Sequence, residues 1–420
     1  MEKKLKVAIF SIVSILILGN IITISYFIVI NSTVISSWSL TLKDNEGEII
    51  WPLAISDNGD YIVAGSGQTR LYLFNKKEPE PLGTFIANED ILSVDITPDG
   101  DYIVAGGAVN DLYLFNKSSP IPIWTHELDR RVGLVQISSD GKVIAASTFN
   151  RVYLFKSEET NPIINYSMMR CDSVDLSLDG KYLIATELRE DDGVIQFFNS
   201  SFSLPVWNFT IKPSVSSTPA WICSLAISSE GNFIAAGTQH DDFYLLNKST
   251  YVNKTSVWNF HHPYGRAQSI SFSVDETLMT VGFHDGVYLF NPTDSKPLWN
   301  SSIEDGIGSV FISENGKYII AGSSIYLDEG FIYLFESNTS ELLWKHEFNK
   351  ALRSLQISSD NRYIITLIGD KLYFIDINNP KIDETIHNKI QLSYIFLGVS
   401  IGVSFLIGIA YLFYWLKRNR

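Results

Sequence analysis

One sequence motif recurs along the chain and restricts the folds that the chain can adopt. Its clearest copy is Ser93-Val-Asp-Ile-Thr-Pro-Asp-Gly-Asp-Tyr-Ile-Val-Ala-Gly-Gly, followed by Leu112-Tyr-Leu-Phe-Asn and then by Ile123-Trp124. The turn residue of the motif recurs eight times at intervals of 39 to 51 residues, at Gly59, Gly100, Gly141, Gly180, Gly231, Glu276, Gly316 and Asn361. A period of about 40–45 residues is that of a four-stranded propeller blade.

Each copy of the motif has the pattern of four strands. An alternating first strand leads into an Asp-Gly turn, which is a favoured hairpin connection because glycine accepts a positive φ without steric cost. The second strand ends in small residues, the third is rich in aromatics with high strand propensity, and the fourth carries a tryptophan. One such sheet cannot bury both its faces, whereas copies stacked around an axis can. The sequence therefore predicts an all-β, eight-bladed propeller.

The end of the repeat region contains an incomplete copy. It supplies strands at Ser354–Ser358, Tyr363–Leu367 and Leu372–Ile375, and no tryptophan follows them. The missing strand has its counterpart near the other end of the chain, at residues 38–42, which begin with Trp38. A strand from there that completed the last blade would close the ring and remove its open edge. We therefore expect a propeller over residues 36–380, the alternative being seven blades with one divergent copy as an appendage.

The third and fourth strands carry a family resemblance. In four copies the tryptophan follows the last aromatic residue of the third strand by nine positions, at Phe115–Trp124, Phe198–Trp207, Phe290–Trp299 and Phe335–Trp344. This pattern resembles the repeat of WD40 proteins combined with that of the quinoprotein-type (PQQ-like) propellers. The resemblance implies an architecture and not a function, because propellers host many functions. The adjacent-cysteine pair of quinoprotein dehydrogenases is absent here, so we expect no cofactor.

Two uncharged apolar segments, residues 7–30 and 391–416, flank the repeats. Each is long enough as a helix to cross a hydrocarbon core of about 30 Å, which takes roughly 20 residues. Basic residues lie outside both segments, in residues 1–6 and 417–420, and positive flanks stay in the cytoplasm. We therefore expect a multi-pass protein of the cell membrane with two membrane helices, cytoplasmic termini and an extracytoplasmic propeller. The alternative for the first segment is a cleaved signal peptide, although its apolar run is longer than such a peptide needs.

The charge and the glycosylation sequons concern the predicted exterior segment. The chain has a formal net charge of −14, which argues against nucleic acid as a partner. Sequons of the form Asn-x-Ser/Thr mark a candidate glycoprotein, although a sequence rich in Asn and Ser also forms them by accident. They begin at Asn31, Asn116, Asn165, Asn199, Asn208, Asn247, Asn253, Asn300 and Asn338.

The loops that enter the innermost strands surround one mouth of the predicted channel, and they hold a cationic and aromatic set. Its members are Trp51, Arg130, Arg131, Arg170, Trp221, His261, His262, Tyr264, Arg266, Lys350 and Arg353. Arginine forks and aromatic anchors are typical of docking sites, so we predict a mouth that binds an acidic protein or a glycan-bearing partner. The alternative is that the arginines only pair with nearby acids such as Asp90, Asp129 and Asp172.

Further candidates concern cross-links, metals and helix packing. Cys171 and Cys223 fall near the start of neighbouring innermost strands, where a disulfide is conceivable in an exterior compartment if the Cα atoms approach within about 7 Å. The sequences His240-Asp241-Asp242 and His284-Asp285-Gly286 are either metal ligands or ordinary turns. In the second apolar segment, small residues at four-residue spacing favour close helix packing. They are Gly398, Gly402 and Gly408.

No motif of a hydrolase, kinase or nucleotide-binding site occurs in the sequence. The pattern therefore favours a membrane-anchored scaffold that binds a partner and is not an enzyme. A degenerate quinoprotein-like oxidoreductase is one alternative. A transmembrane sensor is another, although the short cytoplasmic ends leave no room for an output domain, so it would have to signal through partner helices.

Overall fold

A computed structural model describes residues 37–41, 50–67, 69–213, 218–240, 242–248, 255–262, 265–303, 306–323, 329–369 and 371–378. These residues form eight β-sheets of four strands each. The innermost strands are β2 (Ile50–Ile55), β6 (Ile91–Ile96), β10 (Leu134–Ile137), β14 (Val174–Leu176), β18 (Ile222–Ile227), β22 (Ser269–Phe272), β26 (Ile307–Ile312) and β30 (Leu352–Ile357). The second strands are β3 (Tyr61–Ser66), β7 (Tyr102–Gly107), β11 (Val143–Thr148), β15 (Tyr182–Arg189), β19 (Phe233–Thr238), β23 (Met279–Phe283), β27 (Tyr318–Ser323) and β31 (Tyr363–Ile368).

The two outer positions of each sheet follow the same order. The third strands are β4 (Arg70–Asn75), β8 (Asp111–Asn116), β12 (Arg151–Lys156), β16 (Asp192–Asn199), β20 (Asp242–Asn247), β24 (Gly286–Phe290), β28 (Gly330–Glu336) and β32 (Lys371–Asp376). The outermost strands are β5 (Glu78–Ile86), β9 (Trp124–Glu127), β13 (Ile164–Ser167), β17 (Trp207–Ile211), β21 (Trp258–His261), β25 (Pro297–Ser302), β29 (Leu342–Phe348) and, in the eighth blade, β1 (Trp38–Thr41).

The eighth sheet has the order β1–β32–β31–β30, so the first strand of the chain completes the last blade. This confirms the predicted closure and the count of eight blades. Closing the ring in this way satisfies the edge of β32, which would otherwise present unpaired backbone groups. The described part of this strand is Trp38–Thr41, and Leu42, the last residue of the predicted strand, lies outside the described residues.

The turn between the first and second strands has one geometry in all eight blades. Its repeat residue has a positive φ throughout, 73° at Gly100, 58° at Glu276 and 63° at Asn361. A non-glycine residue is strained there. At Glu276 the side chain compensates, because its carboxylate accepts hydrogen bonds from the backbone N–H of Glu230 (2.7 Å) and from the side chain of Asn232 (2.7 Å) in the fifth blade.

Tryptophans of the outermost strands connect neighbouring blades. The Trp124 ring lies 6.1 Å from that of Phe155 in the next blade, and its indole N–H donates to the Ser157 carbonyl at 2.8 Å. Trp258 donates in the same way to the Pro292 carbonyl at 2.9 Å. Each such contact buries an aromatic ring and satisfies its polar end, which suits tryptophan at this position.

The predicted membrane segments 7–30 and 391–416, together with Gly398, Gly402 and Gly408, lie outside the described residues. Within the described part of the chain, no helix has the length and apolar character needed to span a bilayer.

Candidate functional site

The eight innermost strands line a central channel with two different mouths. The loop mouth is formed by the loops that enter the innermost strands, such as 128–133 and 168–173, together with the turns between second and third strands. The turn mouth is formed by the turns between first and second strands, such as 56–60 and 97–101. A cavity of about 390 Å³ lies in the channel on the side of the turn mouth.

β-bulges shape the loop mouth at the start of several innermost strands. The pairing register shifts between Ile222 and Ser224, and again between Leu352 and Ser354. A bulge leaves one residue unpaired and re-aims its side chain. The residues at these two bulges, Cys223 and Arg353, are both exposed.

Arg170 is the centre of an exposed aromatic cluster at the loop mouth. Its guanidinium carbon lies 5.2 Å from the Trp221 ring centroid and 5.7 Å from that of Phe149. The two rings remain 39% and 50% exposed, respectively. Arg170 also pairs with Asp172 at 2.9 Å, so the acid pairing of the alternative interpretation is present at this residue, and docking through it stays a prediction. Phe149 lies in the turn between β11 and β12 and is not among the docking residues predicted from the sequence.

Arg130 and Arg131 do not form the acid pair that the alternative interpretation required. The neighbouring carboxylate, Asp129, instead binds Arg151 at 3.0 Å and accepts a hydrogen bond from the Tyr153 hydroxyl at 2.9 Å. Arg130 and Arg131 are exposed and form no ion pair with any described residue. Their charges are therefore available to a partner.

The two adjacent histidines have different surroundings. The side chain of His261 is 66% exposed, and its Nδ1 lies 3.0 Å from an oxygen of Asp242. His262 is buried, stacks on Phe283 with ring centroids 4.6 Å apart, and lies within hydrogen-bond distance of the Tyr288 hydroxyl at 2.9 Å. His262 therefore belongs to the core and not to a docking surface.

The predicted docking set has four further members, Arg266, Lys350, Tyr264 and Trp51. Arg266 is exposed and lies near the Cys223 thiol, whose pKa is raised overall because partial desolvation outweighs the opposing effect of the Arg266 charge. Lys350 is exposed at the same mouth. Tyr264 lies outside the described residues, and so does the side chain of Trp51.

The candidate disulfide between Cys171 and Cys223 is not formed. Both are free thiols, the first buried and the second exposed. Cys171 packs in the apolar cluster between the third and fourth blades, and burial raises its pKa to about 12. Cys223 is turned outward by its bulge, so the two side chains lie in different environments.

The histidine–aspartate candidates for a metal site are engaged by neighbouring side chains. The His240 ring lies 2.8 Å from the Thr218 hydroxyl, and Asp285 accepts a hydrogen bond from Tyr288 at 3.1 Å. Asp241 lies outside the described residues. Across the described ranges, no group of three or more His, Cys, Asp or Glu side chains is arranged to hold a metal ion.

The turn-mouth side of the channel is acidic, a feature that was not predicted from the sequence. Its carboxylates are Asp57, Asp95, Asp175 and Glu314, and no Lys or Arg is among the described residues that line the cavity. Burial raises the pKa of Asp95 to about 7, opposed by hydrogen bonds from the backbone N–H groups of Ile137 and Ile96. Burial likewise raises the pKa of Asp175 to about 6. Residues from all eight innermost strands line this cavity, and only the closed ring brings them together.

The fold and its repeat define the class as an eight-bladed β-propeller. The family model described as "WD domain, G-beta repeat" matches residues 79–111. The chain is therefore an eight-bladed β-propeller in which one segment matches a WD40 repeat. No curated protein sequence matches the chain.

Several solved propellers share the fold at low sequence identity. Sqt1 from Saccharomyces cerevisiae has 14% identity and a TM-score of 0.65, covering 81% of this chain and 99% of its own. Sqt1 from Chaetomium thermophilum, bound to the N-terminus of the ribosomal protein L10, also has 14% identity and a TM-score of 0.65, covering 79% of this chain and 98% of its own. The computationally designed Ika8 protein has 11% identity and a TM-score of 0.65, covering 79% and 97%.

Proposed function

We propose that this chain is a protein-binding scaffold, held at the outer surface of a membrane, whose loop mouth docks an acidic segment of a partner. The observation that carries the proposal is the exposed cluster of Phe149, Arg170 and Trp221. Arginine and tryptophan are the residue types that most often dominate binding energy at protein interfaces. The rings are half-exposed, so a partner would bury apolar area that the chain itself leaves open to water.

Charge supports an acidic partner. The chain is acidic overall at −14, yet Arg130 and Arg131 project their charges at the loop mouth without an ion pair among the described residues. A local positive surface attracts an acidic segment of a partner, whereas the net negative charge of the chain repels other copies of it. The Chaetomium thermophilum neighbour holds the N-terminus of a ribosomal protein, which is consistent with a propeller of this fold binding a protein segment.

Site-specific photocrosslinking would test the docking site. We expect p-benzoylphenylalanine at position 149 to crosslink a discrete partner in cells, and the combined Arg130→Glu and Arg131→Glu substitutions to weaken that crosslink about tenfold or more, because each reversal replaces attraction with repulsion. Phe202, which is 57% exposed at the opposite face, is the matched control position. Equal crosslinking at both positions, or a crosslink unaffected by the reversals, would contradict docking at the loop mouth. A decrease in the mass of the crosslinked product on glycosidase treatment that exceeds the decrease for the uncrosslinked chain would identify a glycan-bearing partner.

The membrane part of the proposal is supported by the sequence. Residues 7–30 and 391–416 are uncharged and apolar, and basic residues follow or precede them on the terminal side. With both termini inside, the propeller between the two segments would face the exterior. The end of β32 leads directly into the second of these segments through residues 377–390.

The native thiols offer a direct test of this topology. We expect a membrane-impermeant maleimide to label the wild-type chain in sealed cells through Cys223, which is exposed. Cys223→Ala is expected to abolish this labelling, because the remaining thiol, Cys171, is buried and becomes accessible only after denaturation. Labelling that appears only once the membrane is breached would show that the propeller faces inward.

A further inference from the structure

The tryptophan position of the outermost strand is occupied differently in the first blade. In the second to seventh blades this position pairs with the third-strand residue that precedes the strand's last buried apolar side chain. The pairs are Leu114↔Trp124, Phe197↔Trp207, Leu245↔Trp258, Leu289↔Trp299 and Leu334↔Trp344. In the third blade the pair is Leu154↔Ile164, and in the first it is Leu73↔Gly83.

The first blade therefore has a tryptophan slot without a tryptophan. A Cβ atom built on Gly83 would meet no atom within 4 Å. A cavity of about 90 Å³ lies beside it, lined among others by Leu71, Leu73, Phe85 and Phe115. Where the third blade also lacks the tryptophan, Ile164 fills the position and is fully buried. Absence of the tryptophan therefore does not by itself leave an open slot in this chain.

The other walls of the slot are in place. Phe85, two residues after Gly83, contacts the Phe115 ring edge-on at 4.8 Å. The counterpart contact between the fifth and sixth blades joins Phe260 and Phe290 at 5.5 Å, with Trp258 beside them. Only the indole is missing from an arrangement that elsewhere holds one.

The slot also has a counterpart of the carbonyl group that accepts the indole hydrogen bond in other blades. At Trp124 and Trp258 the indole N–H donates to the carbonyl two residues after the terminal aromatic of the next third strand, at Ser157 after Phe155 and at Pro292 after Phe290. The equivalent residue after Phe115 is Lys117, which lines the cavity. An indole in the slot would therefore meet both an aromatic floor and a carbonyl.

We propose that this slot, the Gly83 groove, binds a tryptophan side chain of a partner protein. The chain's own repeat defines the ligand, because the same surroundings hold an indole in the neighbouring blades. Insertion of a side chain fits better than addition of a strand, since Pro79 and Pro81 remove N–H donors from β5. The exposed Leu82, at 54%, would extend the contact to a residue beside the tryptophan. The groove is separate from the loop mouth, so this proposal does not depend on the docking site proposed above.

Fluorine NMR would test the groove with N-acetyl-5-fluorotryptophanamide and the full-length chain. We expect the probe signal to broaden with the wild type and with Gly83→Ala, which leaves the groove open because the added Cβ meets nothing. Gly83→Trp should weaken binding at least about tenfold, equivalent to about 1.4 kcal/mol, because the new side chain occupies the groove. The same variant should also raise the melting temperature, since it adds buried apolar area.

A second variant that fills the groove keeps the test valid if Gly83→Trp fails to fold. Gly83→Ile copies the third blade and should also abolish probe binding. The proposal is overturned if the probe fails to bind the wild type, as it would if another segment of this chain covered the groove. It is equally overturned if the probe binds the filled variants as well as it binds Gly83→Ala. Neither result would bear on crosslinking at position 149.

Discussion

Replacing Trp38 by alanine is expected to lower the free energy of unfolding by about 3–5 kcal/mol, the usual cost of removing a large aromatic side chain from a packed core. Trp38 is 1% exposed and begins β1, the strand that completes the eighth sheet. Losing it weakens the hold on a strand that joins the two ends of the propeller sequence. Because a propeller needs the closed ring to bury the faces of its blades, the cost extends beyond one side chain.

Trp344→Ala is the matched control for this change. Trp344 is the tryptophan of the outermost strand in the seventh blade but is only half-buried, and its strand follows the other three strands of its blade directly in sequence. Urea unfolding of the detergent-solubilised chain, followed by circular dichroism, should give a clearly smaller loss for Trp344→Ala. Equal losses for the two variants would show that ring closure adds nothing to the contribution of Trp38.

Stability is expected to fall as the pH rises from about 4 to about 7, because two channel carboxyls titrate in this range. Burial raises the pKa of Asp95 to about 7 and that of Asp175 to about 6, both above the value of about 3.9 for an unfolded chain. The folded state then binds more protons than the unfolded state between these limits. The stabilisation is complete below the unfolded pKa and is lost as the pH passes the folded pKa, at up to about 1.4 kcal/mol per pH unit for each proton.

The surrounding groups reinforce this direction. The Asp175 charge raises the pKa of Asp95, and at the turn mouth burial also raises the pKa of Asp57 and of Glu314. Turn aspartates such as Asp140, held by Lys142 and Ser138, have a lowered pKa and act in the opposite direction, but only below about pH 4.

Thermal unfolding between pH 4 and pH 8 would measure the effect. Asp95→Ser should flatten the slope while keeping the contact between blades, because Ser271 at the equivalent position accepts a hydrogen bond from the backbone N–H of Ile312 at 3.3 Å. Asp140→Ser, which alters an exposed turn, should leave the slope between pH 4 and pH 7 unchanged. A slope that persists in Asp95→Ser would assign the effect to other groups.

The architecture could be predicted from the sequence because its determinants are local and repeated. A turn residue that accepts positive φ, such as Gly100, lies between two strands in each copy, so the period and the count of blades follow from the spacing. Ring closure by Trp38 could be predicted too, because an incomplete last copy and an extra strand at the start are both visible in the sequence.

The sites were predictable only in part. Which loops form the loop mouth follows from the repeat, but the stacking of Arg170 between Phe149 and Trp221 joins residues from three separate segments. Likewise, the aspartates of the channel are ordinary alternating polar residues along their own strands.

The sequence by itself thus determined the number of blades, the four-strand unit and the way the ring closes, because each depends on short-range turn chemistry and on strand periodicity. Only the tertiary structure decided which charges are paired, which thiols are buried and where a slot stays open. Gly83 shows the physical reason. A glycine within a strand does not by itself predict a binding site. Gly83 borders an empty tryptophan slot only because Phe115 of the next blade forms the other wall.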